Sequence, residues 1–427
     1  MESNLSNSFF TNNRKRLVAL LKQQSIAVFN SNDILPTNAD GTFPFKQNND
    51  LYYLTGIKQE ETILLLFPDA VENWQKEILF ILEPNALHVK WEGHKLSKEE
   101  AAKISGISEV RYLREFKSIF KQLAVQAQTI CINTNEHTRA KLSIQTRDDR
   151  FLTWCKTTYT LHNYERLAPL IQGLRVIKQD EEIVLLRQAA FITEKGFRRV
   201  LKFIKPGVHQ KQVEAEMIHE YMQYLGTWAD YQPIVASGAD TCILHCNSNH
   251  KVVQNNELVL IDAAAAFAGY NADLTRAIPA NGIYTTRQKE VYNAVLYIHK
   301  QMKMLLKSDA LMKDLQNHCN ELLIEQLVAL GVCSMNDIKL KGSLFYIQQY
   351  CGHNFSHFIG LDVHDVGDYN QKLAAGMVLT NEPGIYINEE QIGIRIENNI
   401  VLTQKGIIDL METVPIEAAA IEELMNS

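Results

Sequence analysis

Two segments of the chain carry acidic residues inside apolar, strand-forming sequence, and no other feature restricts the possible folds as strongly. In ELVLIDAAAAFAGYNADLTRAIP, Asp262 ends one apolar run and Asp273 leads into the next. If the chain reverses between Ala266 and Gly269, the two carboxylates face each other across a β-hairpin. Two like charges in that arrangement repel unless a positive group lies between them. We therefore expect a cation or a basic side chain at this hairpin.

A second segment repeats the arrangement. In LTNEPGIYINEEQIGIRIENNIVL, Glu382 and Glu397 lie at equal distances on either side of the polar turn at 388–391. A hairpin closed by that turn again places two carboxylates across from each other. Four such acids are costly to bury without partners. Arg276 and Arg395 are candidate partners, but two arginines cannot neutralise four acids, so a bound cation is the better interpretation.

Histidines supply the other candidate ligands. The segment GHNFSHFIGLDVHDVG contains His353, His357 and His364, and His245 follows a short apolar stretch far upstream. The sequence lacks the HExxH and paired CxxC patterns of common zinc sites. One imidazole with four carboxylates is an oxygen-rich donor set that suits hard divalent ions; Mn²⁺ is the expected ion, with Co²⁺, Fe²⁺ or Zn²⁺ as alternatives. Five ligands are too many for one catalytic ion with open positions, so they predict two ions joined by bridging carboxylates.

The order and the flanks of these residues resemble a known family. The set D-x10-D, H, E, E is similar to the two-metal ligand set of the M24 metallopeptidases, whose catalytic domain has the pita-bread fold. The motifs IVASGADTCILHCNSN, HNFSHFIGLDVHDVG, LTNEPGIYI and GIRIENNIVLT resemble those of the Xaa-Pro aminopeptidases (aminopeptidase P). FPFKQNNDLYYLTGIKQEETILLL resembles their creatinase-type N-terminal domain. The resemblance therefore covers nearly the whole chain.

The resemblance implies a role for each metal ligand. Asp262 would chelate one ion, and His357 with Glu382 would bind the other. Asp273 and Glu397 would bridge the two ions. Glu382, which would lie beside the attacking hydroxide, is also the expected proton shuttle.

The same resemblance assigns residues around the ions. His245 matches a histidine that stabilises the tetrahedral intermediate, and His364 matches one that contacts the substrate near the scissile bond. His353 and Arg395 match residues that shape the subsite after that bond. Trp91, in WEGHK, resembles a tryptophan of the N-terminal domain that reaches the active site of a neighbouring subunit.

The sequence departs from the family pattern at three places. Ala264 stands where a glycine commonly follows the first metal aspartate, and Cys246 stands where an aromatic residue commonly follows the histidine at 245. The segment after Trp91 reads Glu-Gly-His-Lys, without the arginine that the family pattern would supply. None of these changes removes a metal ligand.

We expect two domains, because the character of the sequence changes near residue 175. Residues 1–175 alternate strand and helix patterns and predict an α/β domain, in which LYYLTG and ETILLLFPDA are assigned to strands. LSKEEAAKIS is assigned to a helix with Ser97 as its N-cap and Glu100 three residues on. Residues 176–427 open with a long amphipathic helix and contain both acidic strand pairs. This mixed α+β part is the expected pita-bread peptidase domain.

Composition excludes several classes of function. Lys and Arg total 43 and Asp and Glu total 49, a net charge of −6, so no excess of basic charge favours binding to nucleic acid or to an anionic membrane. No apolar run is long enough to span a membrane, and the first residues lack the pattern of a signal peptide. Seven scattered cysteines fit reduced thiols in a cytoplasmic protein. The resemblance adds the expectation of a homodimer or homotetramer.

The leading hypothesis is hydrolysis of the X–Pro bond at the N-terminus of peptides with proline in second position. The alternative within the enzyme class is a prolidase, which takes X–Pro dipeptides only. Methionine aminopeptidase is disfavoured because that activity usually needs only the catalytic domain, and creatinase because it needs no metal. Non-catalytic pita-bread binding modules typically lack several ligands, whereas this chain keeps all five. The sequence also lacks the GxSxG motif of serine hydrolases and the GxxxxGK[ST] phosphate loop.

Overall fold

The structure, a computed structural model, describes residues 5–140 and 143–427. The chain divides into two compact units that meet in sequence at Arg175 and Val176.

The N-terminal unit alternates helices and strands. Its helices are α1 (Asn7–Val18), α2 (Asn49–Thr55), α3 (Ala86–Glu92), α4 (Lys98–Ser105), α5 (Phe116–Ala124), α6 (Arg147–Thr158) and α7 (Ala168–Arg175). Its strands are β1 (Ser25–Asn30), β2 (Ile63–Leu66), β3 (Glu77–Ile81), β4 (Val110–Tyr112), β5 (Thr129–Ile132) and β6 (Asn163–Arg166).

These six strands form one sheet in the order β4-β3-β2-β1-β5-β6. Strand β2 is antiparallel to both of its neighbours, and the other pairs are parallel. Alternate residues of β1, Ile26 and Val28, are buried in a cluster with Phe120 of α5 and Phe151 of α6. The unit is therefore an α/β domain with helices packed on a mostly parallel sheet, as the sequence predicts.

One element of this unit was predicted wrongly and another correctly. LYYLTG, assigned to a strand, lies in α2. The Asn48 side chain accepts hydrogen bonds from the backbone N–H groups of Asp50 and Leu51, and Gly56 ends the helix with a φ of 70°. These caps stabilise a short helix despite its strand-forming residues. The predicted capping box of Ser97 is present at the start of α4.

The C-terminal unit contains the remaining elements. Its helices are α8 (Asp180–Phe203), α9 (Gln210–Gln223), α10 (Thr286–Leu305), α11 (Met312–Ala329), α12 (Met335–Lys341), α13 (Ser343–Tyr350) and α14 (Ala418–Met425). Its strands are β7 (Thr227–Trp228), β8 (Ile234–Ser237), β9 (Leu258–Asp262), β10 (Ala265–Phe267), β11 (Tyr270–Asn271), β12 (Thr275–Pro279), β13 (Val378–Asn381), β14 (Gly384–Ile387), β15 (Ile392–Arg395), β16 (Asn398–Thr403) and β17 (Gly406–Asp409).

The strands of this unit form four small antiparallel sheets, in the orders β11-β10-β7, β12-β9-β8, β13-β16-β17 and β14-β15. Helix α8 packs against α9 and against β10 and β11, and α10 packs against β13, β14 and β15. Each acidic segment leaves one sheet, forms a hairpin in a second sheet and then returns to the first. The acids lie where one sheet ends and the next begins.

Within the described ranges 5–140 and 143–427, none of the helices combines the length and the apolar character needed to cross a bilayer.

Candidate metal centre and active site

The first acidic hairpin has a register different from the predicted one. Asp262 pairs with Thr275, not with Asp273. The chain reverses at Ala268 and Gly269, which both have positive φ angles, 53° and 94°. This turn lies one residue later than expected, so the pairing shifts by two positions. Because side chains alternate with a period of two, the two carboxylates still share a face, as diagonal neighbours.

The second hairpin has the predicted register. Asn381 pairs with Asn398 in the β13-β16-β17 sheet, and Gly384 pairs with Arg395 in the β14-β15 sheet. Glu382 and Glu397 therefore lie across from each other. The backbone N–H groups of the two glutamates turn away from this ladder. That of Glu382 donates to the Phe355 carbonyl at 2.7 Å, and that of Glu397 donates to the Thr275 carbonyl at 3.1 Å. The second bond connects the two hairpins directly.

Three predicted ligands converge on one point. Asp273, His357 and Glu397, all buried, each offer a ligand atom, and these atoms lie within 4.8 Å of one another. His357 Nε2 is 3.5 Å from Asp273 Oδ2 and 3.4 Å from Glu382 Oε1. His357 Nδ1 is 2.9 Å from the Phe358 carbonyl, which can only accept, so Nδ1 carries a hydrogen. In the neutral ring, Nε2 then presents its lone pair to the carboxylates, as in metal-binding histidines.

The described side chains supply too little positive charge to keep every carboxyl group of the cluster ionised. Burial, and then the charge of Asp262, raises the pKa of Asp273 to about 6, although His357 opposes the shift. Burial and the charges of Asp273 and Glu382 raise the pKa of Glu397 well above its ordinary value. Among the described residues, Asp262 Oδ1 and Glu397 Oε1 are buried without a hydrogen-bond partner. Unpaired carboxylate oxygens and a lone-pair nitrogen in one place fit a divalent cation.

Of the two candidate arginine partners, only one contacts a carboxylate group of the site. Arg395 forms an ion pair with Asp262 at 2.5 Å and donates to the hydroxyl oxygens of Tyr386 at 2.7 Å and Thr275 at 3.1 Å. Arg276 is fully buried, but it donates to backbone carbonyls and to an asparagine side chain, not to the acids. Arginine therefore offsets one of the four acids, and the need for a cation remains.

The other predicted histidines differ in their contacts and their exposure. The ring of His364 lies against that of His357, with 4.3 Å between their centroids. His353 is half-buried, with Nε2 2.8 Å from the Tyr386 hydroxyl, and Tyr386 links it to Arg395. His245 is exposed in the loop that follows a short 3₁₀ turn at 238–242.

Trp91, the remaining predicted site residue, lies near the end of α3 in the N-terminal unit. The residue is 78% exposed. It therefore belongs to the unit that does not carry the acidic cluster.

Among the side chains that sequence reasoning missed are three with hydroxyl groups that contact predicted site residues. The Tyr231 hydroxyl donates to Asp273 Oδ1 at 2.8 Å, and the Thr275 hydroxyl donates to Glu397 Oε2 at 2.6 Å. The third is Tyr386, which lies between His353 and Arg395. Thr275, two residues after Asp273 on the same strand face, could have been found from the alternation of the hairpin. Tyr231 is 42 positions from its partner, and no local pattern marks it.

Comparisons with known proteins show the family of the chain. Residues 184–404 match the model of metallopeptidase family M24, and residues 10–132 match that of the aminopeptidase P N-terminal domain. The chain is 32% identical to an Xaa-Pro aminopeptidase of Haemophilus influenzae, over 98% of this chain and 97% of that protein.

Solved structures give the same result. Aminopeptidase PepP of Pseudomonas aeruginosa superposes with a TM-score of 0.92 at 26% identity, covering 99% of each chain. A zinc-substituted aminopeptidase P of Escherichia coli in complex with product superposes with a TM-score of 0.89 at 28% identity, covering 100% of this chain and 99% of that one. The predicted pita-bread domain behind a creatinase-type N-terminal α/β domain is confirmed. The chain thus belongs to metallopeptidase family M24, in its aminopeptidase P group.

Proposed function

We propose that this M24 peptidase removes the N-terminal residue from peptides that have proline in second position. The observation that carries the proposal is the buried cluster of Asp273, His357 and Glu397, with the half-buried Glu382 3.4 Å from His357. The similarity of nearly the whole chain to a protein named Xaa-Pro aminopeptidase supports it. Residues 176–427 would perform the catalysis. Residues 1–175 would form the accompanying N-terminal domain.

The five predicted ligands would hold two divalent ions. Asp262 would bind one ion, His357 and Glu382 the other, and Asp273 and Glu397 would bridge them. The unpaired oxygens of Asp262 and Glu397 support this assignment. The oxygen-rich set favours Mn²⁺, with Co²⁺, Fe²⁺ or Zn²⁺ as alternatives. When bound, such ions lower the pKa of a water molecule and polarise a peptide carbonyl.

The protein groups around the ions would handle protons and charge. Glu382 lies next to His357 and accepts a hydrogen bond from the Thr380 hydroxyl at 3.1 Å, so its carboxylate is held in one orientation. It would accept the proton released by water and deliver it to the leaving amine. His245 and His364 would donate hydrogen bonds to the carbonyl oxygen as negative charge develops on it. In other hydrolases one such donor is worth about 3–4 kcal/mol.

Binding of the rest of the peptide would involve His353 and Arg395. The hydroxyl of Tyr386 accepts from Arg395 and can donate to His353 Nε2, so the three side chains hold one another in place. Trp91 would contribute from a neighbouring subunit, which makes a homodimer or homotetramer part of the proposal. The seven cysteines are all free, which supports a cytoplasmic setting.

A panel of peptides tests the proposal. The chelator-stripped chain, reloaded with Mn²⁺, would be given an X–Pro–Y tripeptide, the X–Pro dipeptide and the X–Ala–Y tripeptide. We expect cleavage of the first to exceed that of the third by at least about 100-fold in kcat/KM, and the activity to require metal. Cleavage restricted to the dipeptide would replace the proposal with a prolidase. Absence of metal binding and of cleavage would indicate a binding module instead.

A further inference from the structure

A fully buried ion pair lies outside the metal cluster. Lys178 Nζ is 2.8 Å from Asp365 Oδ2, and each side chain is 1% exposed. Burying two charges costs more than their attraction returns unless the geometry is favourable, so such a pair is weak evidence for stability. No step of the proposed reaction uses either residue. The position of this ion pair, at the end of a loop that carries a site histidine, indicates its role.

Asp365 lies at the end of a loop that joins two site histidines. The loop, residues 358–365, starts directly after the predicted ligand His357 and includes His364. The N–H of Asp365 donates to the Phe358 carbonyl at 2.8 Å, which closes the loop at its base. The ring of His364, on this closed loop, lies 4.3 Å from the ring of His357, which immediately precedes the loop. A displacement of Asp365 would therefore move His364 relative to His357.

The loop is packed tightly against the lysine. A Cβ atom at Gly360 would lie 2.2 Å from Asp365 Oδ2 and 2.8 Å from Lys178 Cε, so only glycine fits at that position. The Gly360 carbonyl accepts hydrogen bonds from the N–H of Asn271 at 2.8 Å and from its side chain at 3.2 Å. The loop is thus fixed on one side by the first acidic hairpin and on the other by Lys178.

Lys178 is itself anchored and faces a second carboxylate. Its N–H donates to the Gly376 carbonyl at 2.8 Å, just before α8 begins. Buried Glu182, in the first turn of α8, interacts with the charges of Lys178 and Asp365 and accepts a hydrogen bond from the Tyr270 hydroxyl at 3.0 Å. Removal of the lysine would leave two carboxylates near each other, and the Asp365 end of the loop would lose its cationic partner.

We propose that Lys178 is a positioning residue, whose ion pair with Asp365 fixes the 358–365 loop so that His364 is held beside His357. The inference rests on the proposed function, in which His364 contacts the substrate. It predicts that loss of the ammonium group acts on catalysis through His364 and leaves the metal ligands in place.

Hydrogen exchange tests the structural part without any need for activity. In Lys178→Met, amide exchange of the segment 358–366 should accelerate on the order of 100-fold, because the loop opens without unfolding the unit. The control Lys289→Met breaks a surface pair with Glu422, 2.7 Å apart in the same unit, and should leave this segment unchanged. Unchanged exchange in Lys178→Met would overturn the proposal.

A double-mutant cycle tests the link to His364. Lys178→Met should lower kcat/KM for an X–Pro–Y peptide by about 10- to 100-fold at parental metal content, but by less than about 3-fold in a His364→Ala background. If the double variant shows a loss of kcat/KM equal to the product of the losses in the two single variants, the two residues act independently and the proposal is overturned. If Lys178→Met fails to fold, Asp365→Asn, which keeps the shape of the side chain, replaces it in both measurements. Failure of the parent chain to cleave X–Pro peptides would refute the proposed function instead, and the exchange result would still decide the positioning role.

Discussion

The buried carboxyl of Asp273 makes the stability of the metal-free protein depend on pH in an unusual direction. Asp273 is 6% exposed, and its surroundings raise the pKa of its carboxyl from 3.8 to about 6. Between these values the folded state binds more protons than the unfolded state, so the free energy of unfolding falls as pH rises. This is the opposite of the behaviour of a carboxylate in a salt bridge, which stabilises the fold once it is ionised.

The size of the effect follows from the shift. A displacement of about two pKa units costs the folded, metal-free protein about 3 kcal/mol once the carboxyl is fully ionised, and about 2 kcal/mol of this appears between about pH 4.5 and pH 7. In a unit of this size, about 2 kcal/mol changes the melting temperature by about 4–8 °C. A bound divalent cation compensates the carboxylate charge, so the dependence should be confined to the stripped protein.

Melting curves of chelator-treated protein measure this effect. The matched variant Asp273→Asn keeps the size of the side chain and its acceptor for the Tyr231 hydroxyl, but it cannot ionise. Subtracting its melting temperature from that of the parent at each pH removes the contribution of every group whose pKa does not depend on Asp273. We expect the difference to fall by about 4–8 °C between about pH 4.5 and pH 7. A difference that stays constant or rises over that range would refute the reasoning.

Three further predictions concern the site and its support. Glu382→Gln should lower kcat by about 10²- to 10⁴-fold with KM nearly unchanged, because a neutral amide cannot shuttle the proton; steady-state kinetics at saturating metal measure this. Tyr231→Phe removes the hydroxyl that orients Asp273 and should weaken metal binding by about 10- to 100-fold, as calorimetric titration of stripped protein will show. Gly393→Ala would place a Cβ 2.1 Å from the backbone oxygen of Thr241 and should cost about 1–3 kcal/mol in chemical unfolding, whereas an unchanged midpoint would refute the close approach.

The four acids could be singled out from the sequence because each lies within or beside an apolar, strand-forming segment. Carboxylates inside apolar strands need a partner, and that requirement does not depend on details of the fold. The register of the second hairpin was predictable because the polar turn at 388–391 lies midway between Glu382 and Glu397. In the first hairpin the stretch AAAAFAGY offers several places to reverse. The backbone selects Ala268 and Gly269, and the predicted pairing was wrong by two positions.

Contacts between distant segments could not be predicted in the same way. Lys178 and Asp365 are 187 positions apart, and nothing in the residues around either one indicates the other. The contact of Tyr386 with His353 and Arg395 could not be predicted, because tyrosine is common in strands and its presence indicates no particular role. Helix α2 was assigned to a strand because LYYLTG has strand-forming residues, while the deciding groups were the caps at Asn48 and Gly56. Local propensity was outweighed by groups at the ends of the element.

Metal content measured together with activity tests the central claim most directly: that five side chains build a two-ion centre for aminopeptidase action. Stripped protein would be titrated with Mn²⁺ while the bound metal per chain and the cleavage of an X–Pro–Y peptide are followed. We expect no cleavage without metal and a plateau in activity as the second ion binds. In Glu397→Gln we expect the chain to lose both the binding of two ions and the cleavage activity. Full-rate cleavage by protein shown to contain no metal would contradict the account.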